Sequence, residues 1–278
     1  MIFYSPLRYP GGKTRLSCLL EKVIKKNFPK NVKITLIEPY AGGAGASLKL
    51  LLSGKVDKII INDMDRSIFS FWKIVVSDTD FLINKIKNTN ININEWRKQK
   101  KIYSNPLSAT KELAFATLFL NRTNRSGIIE GGPIGGMDQS GSWNVGARFT
   151  KDTIIKRLEK IKEFKDKIKV KNIDGITLLK QLEQNKKRNT YFVLLDPPYY
   201  QKGKSLYLNH YVDKDHKKLS KLLEKSPLKW VMTYDDVSYI QNLYNNFKKR
   251  NFVVNHSAFE ARRGKEILIF SNNVTRMI

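Results

Sequence analysis

Cysteine is almost absent from this chain. Its 278 residues contain one, Cys18, so no disulfide can form within the chain and a reducing cytosol is the expected setting. Long apolar runs are missing too. None approaches the roughly 18 residues that a membrane helix requires. The opening MIFYSPLR lacks the basic-then-apolar pattern of a secretory leader. No membrane association is therefore expected. Histidine is scarce, with three residues in all. His210 and His216 do not have the spacing of zinc ligands, so no metal site is expected, and His216 reads as a polar helix residue. Acidic residues are few: 25 against 51 Lys and Arg, for a net charge of +26. That surplus implies attraction to a polyanion, above all nucleic acid. Part of it is solvated surface lysine, as the Lys-, Asn- and Ile-rich composition suggests.

A nucleotide phosphate loop is also missing, although RYPGGKT (8–14) ends like one. Such a loop needs Gly, four residues, then Gly-Lys-Ser/Thr, after a buried strand. The required first glycine falls on Leu7, and Pro6 disrupts any strand before it. The glycines at 11 and 12 need another reason.

What is present is an alternating pattern. Hydrophobic residues make up 41% and charged residues 27%, the balance of a chain that builds a core. Short apolar or β-branched runs read as buried strands at 33–39, 56–63, 167–174, 191–198, 229–236, 251–257 and 266–272. Helical patterns follow the first five, at 44–52, 65–76, 176–182, 213–223 and 237–247. This alternation predicts an α/β fold with a mostly parallel sheet and a hairpin of the last two strands at one edge. It stops between about 77 and 166. That span shows helical patterns near 95–103 and 109–120, then the glycine-rich NRTNRSGIIEGGPIGGMDQSGSWNVGARF (121–149). An inserted module is expected there, with two short strands flanking a flexible tip. The catalytic unit is then 1–76 plus 167–278.

Ligands of such sheets sit beyond the carboxyl ends of the strands, and the motifs lie there. The first strand runs into EPYAGGAG (38–45), and the second ends at Asp63, where an acid that binds ribose hydroxyls belongs. Gly43 and Gly45 fit G-x-G, but Leu48 stands where a dinucleotide fingerprint needs Gly or Ala. NAD is disfavoured; a nucleoside cofactor such as S-adenosylmethionine remains. The fourth strand ends in Asp196-Pro197-Pro198-Tyr199. Two prolines fix the backbone and remove two N–H donors. A carboxylate and carbonyls remain beside an aromatic ring, an arrangement suited to an exocyclic amine on a planar base. Two acceptors holding both hydrogens of adenine N6 would turn its lone pair toward a methyl donor.

The ordered set RYPGGK (8–13), EPYAGGAG (38–45), IIIND (59–63), LNRTNRSG (120–127) and DPPY (196–199) resembles the Dam-like, alpha-group DNA adenine-N6 methyltransferases, over nearly the whole chain. The resemblance implies a Rossmann-like methyltransferase sheet with an inserted target-recognition module. It implies that S-adenosylmethionine is bound by Tyr9, Gly12, Lys13, Glu38, Pro39, Tyr40, Gly42, Gly43 and Asp63, beside Asp196. Asp174 is a further candidate for the cofactor adenine, with a helix N-cap as the competing reading. The catalytic set is Asp196, Pro197, Pro198 and Tyr199, acting on an adenine flipped out of double-stranded DNA. Arg122, Asn124, Arg125 and Arg148 fall in the recognition segment, where they would touch bases or phosphates. Arg262 and Arg263, in ARRGK (261–265), are phosphate candidates. Relatives that read GATC often carry FNVPFG where this chain has WNVGARF (143–149), a departure from the GATC pattern. RNA adenine methylation and a DNA-binding module without catalysis are the alternatives. No heptad seam argues for an oligomer, so a monomer is expected. A cognate restriction enzyme is a partner the resemblance allows.

Overall fold

Consecutive strand residues face opposite ways, and the central strands here are apolar at nearly every position. Each must therefore be covered on both faces. The computed structural model describes residues 4–8, 13–201, 211–255 and 263–275. Tyr9, Gly12, His210 and Arg262 lie outside the described residues, as does the side chain of Arg263.

The strands are β1 (Thr35–Glu38), β2 (Lys58–Asn62), β3 (Ile168–Lys171), β4 (Tyr191–Leu195), β5 (Lys229–Asp235), β6 (Lys248–Asn255) and β7 (Arg263–Phe270). They form one sheet in the order β3-β2-β1-β4-β5-β7-β6. The first five are parallel, and β7 runs antiparallel between β5 and β6. The expected edge hairpin is there. The chain winds outward from β1 through β2 to β3, then restarts at β4 on the other side of β1. The gap between the ends of β1 and β4 is thus the switch point where such sheets bind ligands.

Side-chain alternation sorts the core into two clusters. Leu36, Phe192, Leu194 and Val231 face one way, with α1 (Ser17–Asn27), α2 (Gly45–Leu52) and α3 (Arg66–Ser77). Ile37, Val193, Leu195 and Met232 face the other, with α8 (Gly175–Glu183), α9 (Asp213–Glu224) and α10 (Ser238–Leu243). Span 77–166 supplies α4 (Thr79–Asn88), α5 (Ile93–Ser104), α6 (Thr110–Thr123) and α7 (Lys151–Lys162). Their apolar residues join the first cluster: Ile86, Trp96, Phe115, Phe119 and Leu158 are all in it. Every residue from Leu113 to Thr123 is buried.

Two expectations about local structure are corrected. Residues 128–149 form no hairpin; the one strand-like contact in the segment is an isolated bridge between Asn124 and Pro133. Ser126, Gly127, Gly135, Gly136 and Gln139 all have positive φ, which strand geometry does not allow. Gln139 folds the loop instead. Its amide donates to the carbonyls of Ile134 and Gly136, and its carbonyl accepts the Val145 N–H. The helix expected over 237–247 is shorter, because β6 begins at Lys248 and α10 ends at Leu243. No helix among the described residues is long and apolar enough to cross a membrane.

Candidate active site

β4 delivers Asp196 to the switch point, and β5 beside it delivers Thr233. The Thr233 hydroxyl donates to Asp196 Oδ1 at 2.5 Å, fixing the carboxylate. Lys13 opens the short helical turn before α1. Its ammonium lies 3.3 Å from Asp196 Oδ1, 3.3 Å from Glu266 Oε2 and 2.7 Å from the Tyr199 hydroxyl. The Tyr199 ring is buried against Tyr234, with centroids 6.2 Å apart. Burial raises the Glu266 carboxyl, and the charge of Lys13 pulls it back down. Downstream of DPPY, Asp235 accepts the Tyr200 and Gln201 N–H groups at 3.0 and 2.8 Å. The turn is therefore held by β5 as well as by its own prolines.

The second group of carboxylates lines the ends of β1 and β2. Glu38 is 6% exposed, and its Oε1 accepts the Ser47 N–H and hydroxyl at the start of α2. Burial pushes its carboxyl up to about 7, opposed by the Ser47 hydrogen bonds. Asp63 accepts the Gly42 N–H at 2.9 Å through one oxygen and the Asp65 N–H at 3.0 Å through the other. It keeps some contact with solvent, yet desolvation and the nearby Asp65 charge also push it to about 7. Gly42 and Ala44 both have positive φ, which turns the loop tightly under these acids, and the Gly42 carbonyl is held by Trp72 Nε1 at 2.8 Å. Asn62 ties β1 to β3: its amide donates to the Pro39 and Ile173 carbonyls and accepts the Ile173 N–H. Asp174 caps α8, accepting the Thr177 N–H and hydroxyl. The Tyr40 hydroxyl meets that of Tyr211 at 2.8 Å, and a Cβ on Gly175 would strike the Tyr40 ring at 2.5 Å.

The site therefore offers Glu38 and Asp63 at one side and Asp196 at the other, over a left-handed glycine loop. A family model for D12 class N6 adenine-specific DNA methyltransferases matches residues 9–256. The chain belongs to that family. This methyltransferase is 23% identical, over 271 residues, to the Type II methyltransferase M.MjaIII of Methanocaldococcus jannaschii, covering 89% of this chain and 90% of the relative. Among solved structures it is similar to the rRNA methyltransferase AviRa of Streptomyces viridochromogenes (13% identity, TM-score 0.42, covering 96% of this chain and 88% of that one). It is also similar to a class I S-adenosylmethionine-dependent methyltransferase of Listeria monocytogenes (11% identity, TM-score 0.39, covering 93% and 59%). Both likenesses are too distant to bear on substrate.

The recognition candidates of the methyltransferase fall into two sets. Arg125 and Arg148 are exposed, and Arg148 lies 5.8 Å from the ring of the exposed Trp143. Asn124 and Arg122 are buried. The expectation that Asn124 reads a base is corrected. Its carboxamide oxygen accepts Trp96 Nε1, and its NH2 donates to the carbonyls of Ile128, Ile129 and Gly131. With all of that capacity used inside the protein, Asn124 is a clasp for the loop. His216 lies on α9, as its pattern suggests, but is buried there, with Nδ1 2.6 Å from the Tyr234 hydroxyl. Residue type alone missed Glu266, Thr233, Asp235 and Asn62. The one available signal was an acid, amide or hydroxyl inside an otherwise apolar strand.

Proposed function

We propose that this methyltransferase binds S-adenosylmethionine and methylates N6 of an adenine flipped out of double-stranded DNA at a specific sequence. The observation that carries the reading is the clustering of acceptors around Asp196. They already hold an amine-type donor, the Lys13 ammonium, at 2.7–3.3 Å. The adenine N6 group is neutral but also donates N–H bonds, so the acceptors of the cluster suit it once Lys13 withdraws from Asp196.

The donor set fits the cofactor. S-adenosylmethionine supplies an electrophilic methyl carbon on a cationic sulfur, and it also bears an ammonium and two ribose hydroxyls. Glu38 and Asp63 provide anionic acceptors for such groups, and the Gly42–Gly43 turn lets a ligand approach the backbone. Tyr40 would border the same space. In the proposed reaction Asp196 and the Pro197 carbonyl accept the two N6 hydrogens and aim the lone pair. The methylated nitrogen then sheds one proton, which Asp196 is positioned to take. Tyr199 would contact the base plane, its ring held by Tyr234. Extruding the base costs a few kcal/mol, offset by contacts in the pocket. In this reading residues 1–76 and 167–278 form the catalytic unit, and 77–166 carries target recognition.

Methyl incorporation into duplex DNA tests the reading. Asp196→Ala is expected to lower turnover by roughly 10²–10⁴ while the circular dichroism spectrum and S-adenosylmethionine binding persist. Normal turnover by that variant would sink the mechanism. Cofactor binding by the wild type with no methyl transfer would favour a binding module instead.

A further inference from the structure

Three arginines meet at the crossing of the N-terminal segment, α6 and α7. Arg157 Nη1 on α7 donates to the Ser5 carbonyl at 2.8 Å. Asn121 on α6 grips the main chain of Arg8, accepting its N–H and donating to its carbonyl, both at 2.7 Å. The next residue is Arg122, 7% exposed. Arg8 and Arg157 are half-exposed and Arg122 is buried, and Arg122 feels the like charges of both.

No acidic group among the described residues pairs with them. Among the described residues no ion pair includes an arginine; every one uses lysine. Arg8 Nη1 and Arg122 Nε are buried with no hydrogen-bond partner among those residues. Burial, then the like charges of Arg157 and Arg8, lower the Arg122 guanidinium to about 9. Burial lowers Arg8 and Arg157 as well. A buried cation is ordinarily paired, because an unpaired one is costly. Were Arg122 a packing strut, its Nε should have found a carbonyl.

We propose that Arg8, Arg122 and Arg157 form a phosphate-binding bowl that takes one backbone phosphodiester of the DNA substrate. The proposal rests on the duplex-DNA reading above and adds residues to it. The planar guanidinium fork matches phosphate oxygens two at a time, and three such forks around one anion remove both the mutual repulsion and the orphaned donors. Arg122 thus acts on the backbone and not on base identity. The bowl also lies on the segment that leads, five residues on, to Lys13.

The test uses the full chain, duplex DNA, and inorganic phosphate as a free-anion probe. Each phosphate contact contributes about 0.9 to the slope of log K against log salt. Arg8→Met/Arg157→Met is expected to lower that slope by about 0.9, with S-adenosylmethionine affinity unchanged. An unchanged slope would overturn the bowl, and a loss of about two contacts would overturn the single shared phosphate. Arg122→Met is expected to keep or raise the Tm of the DNA-free protein while weakening DNA binding. A lowered Tm with unaltered DNA binding would show a strut and reject the proposal. If inorganic phosphate stabilises the wild type but not Arg122→Met while the DNA slope stays fixed in both variants, the site takes free phosphate and the phosphodiester assignment falls. If the wild type shows no salt-dependent duplex binding, the substrate reading itself has failed, and the inorganic phosphate arm alone decides the bowl.

Discussion

Glu38 and Asp63 carry the pH behaviour of the site. Both carboxyls sit at about 7 in the folded chain, against ordinary values of about 4. Between those limits the folded state holds protons that the unfolded chain has released. Stability of the ligand-free protein therefore falls as pH rises from about 4 to about 7, and the effect saturates above that. Glu38→Gln removes its share. Urea unfolding across this range is expected to show the wild type losing stability relative to Glu38→Gln as pH rises; a constant difference would contradict the shift. Glu38 is the stronger case, being almost fully enclosed, whereas Asp63 keeps some solvent. Cofactor groups that favour the ionised carboxylates must bind more tightly as pH rises through the same window, and calorimetric titration would read that trend. Lys13 occupies the other carboxylate. Its ammonium satisfies Asp196 and Glu266, so in the proposed reaction an adenine amine has to compete with it.

At the level of elements, the informative piece is the turn after α6. Gly127 has φ +77, and a Cβ there would meet the Arg8 carbonyl oxygen at 2.5 Å. That carbonyl is the one Asn121 holds, and Asn121 also donates to the Gly127 carbonyl. Gly127→Ala combines a disfavoured backbone with a backbone clash. It is expected to cost about 1–3 kcal/mol and to loosen the N-terminal segment. Thermal unfolding reads the first effect and hydrogen exchange at residues 4–8 the second; wild-type behaviour in both would refute the clasp. The motif LNRTNRSG was legible as important, but its division of labour was not. Asn121 and Asn124 are polar residues in a recognition-like run, and nothing in their type says that their amides point inward. Only the fold around them decides that. β5 teaches the same point, since Thr233 and Asp235 face the DPPY turn because β5 pairs with β4.

At the scale of the whole molecule, a charge of +26 on 278 residues predicts steep salt dependence. With several phosphate contacts, affinity for duplex DNA should drop by about 10³-fold or more between 50 and 200 mM salt. Fluorescence anisotropy checks this, and a flat profile would remove phosphate attraction as the basis of binding. Packing joins span 77–166 to the central sheet, because Trp96, Phe115, Phe119 and Leu158 share a cluster with Leu36 and Phe192. Changes in one are therefore felt in the other.

The strand–helix alternation, the acids at strand ends and the DPPY turn were determined by the chain alone, because apolar periodicity and proline stiffness act over a few residues. The same holds for the family motifs and the basic surplus. Tertiary structure alone decided which polar groups meet across long separations: Lys13 with Glu266, Asn121 with Arg8, Asp235 with Tyr200. It also decided that a glycine-rich span expected to be a hairpin is a set of turns, and that Arg122 is buried. Such contacts depend on how strands and helices are ordered in space, and residue type says nothing about who the neighbour will be.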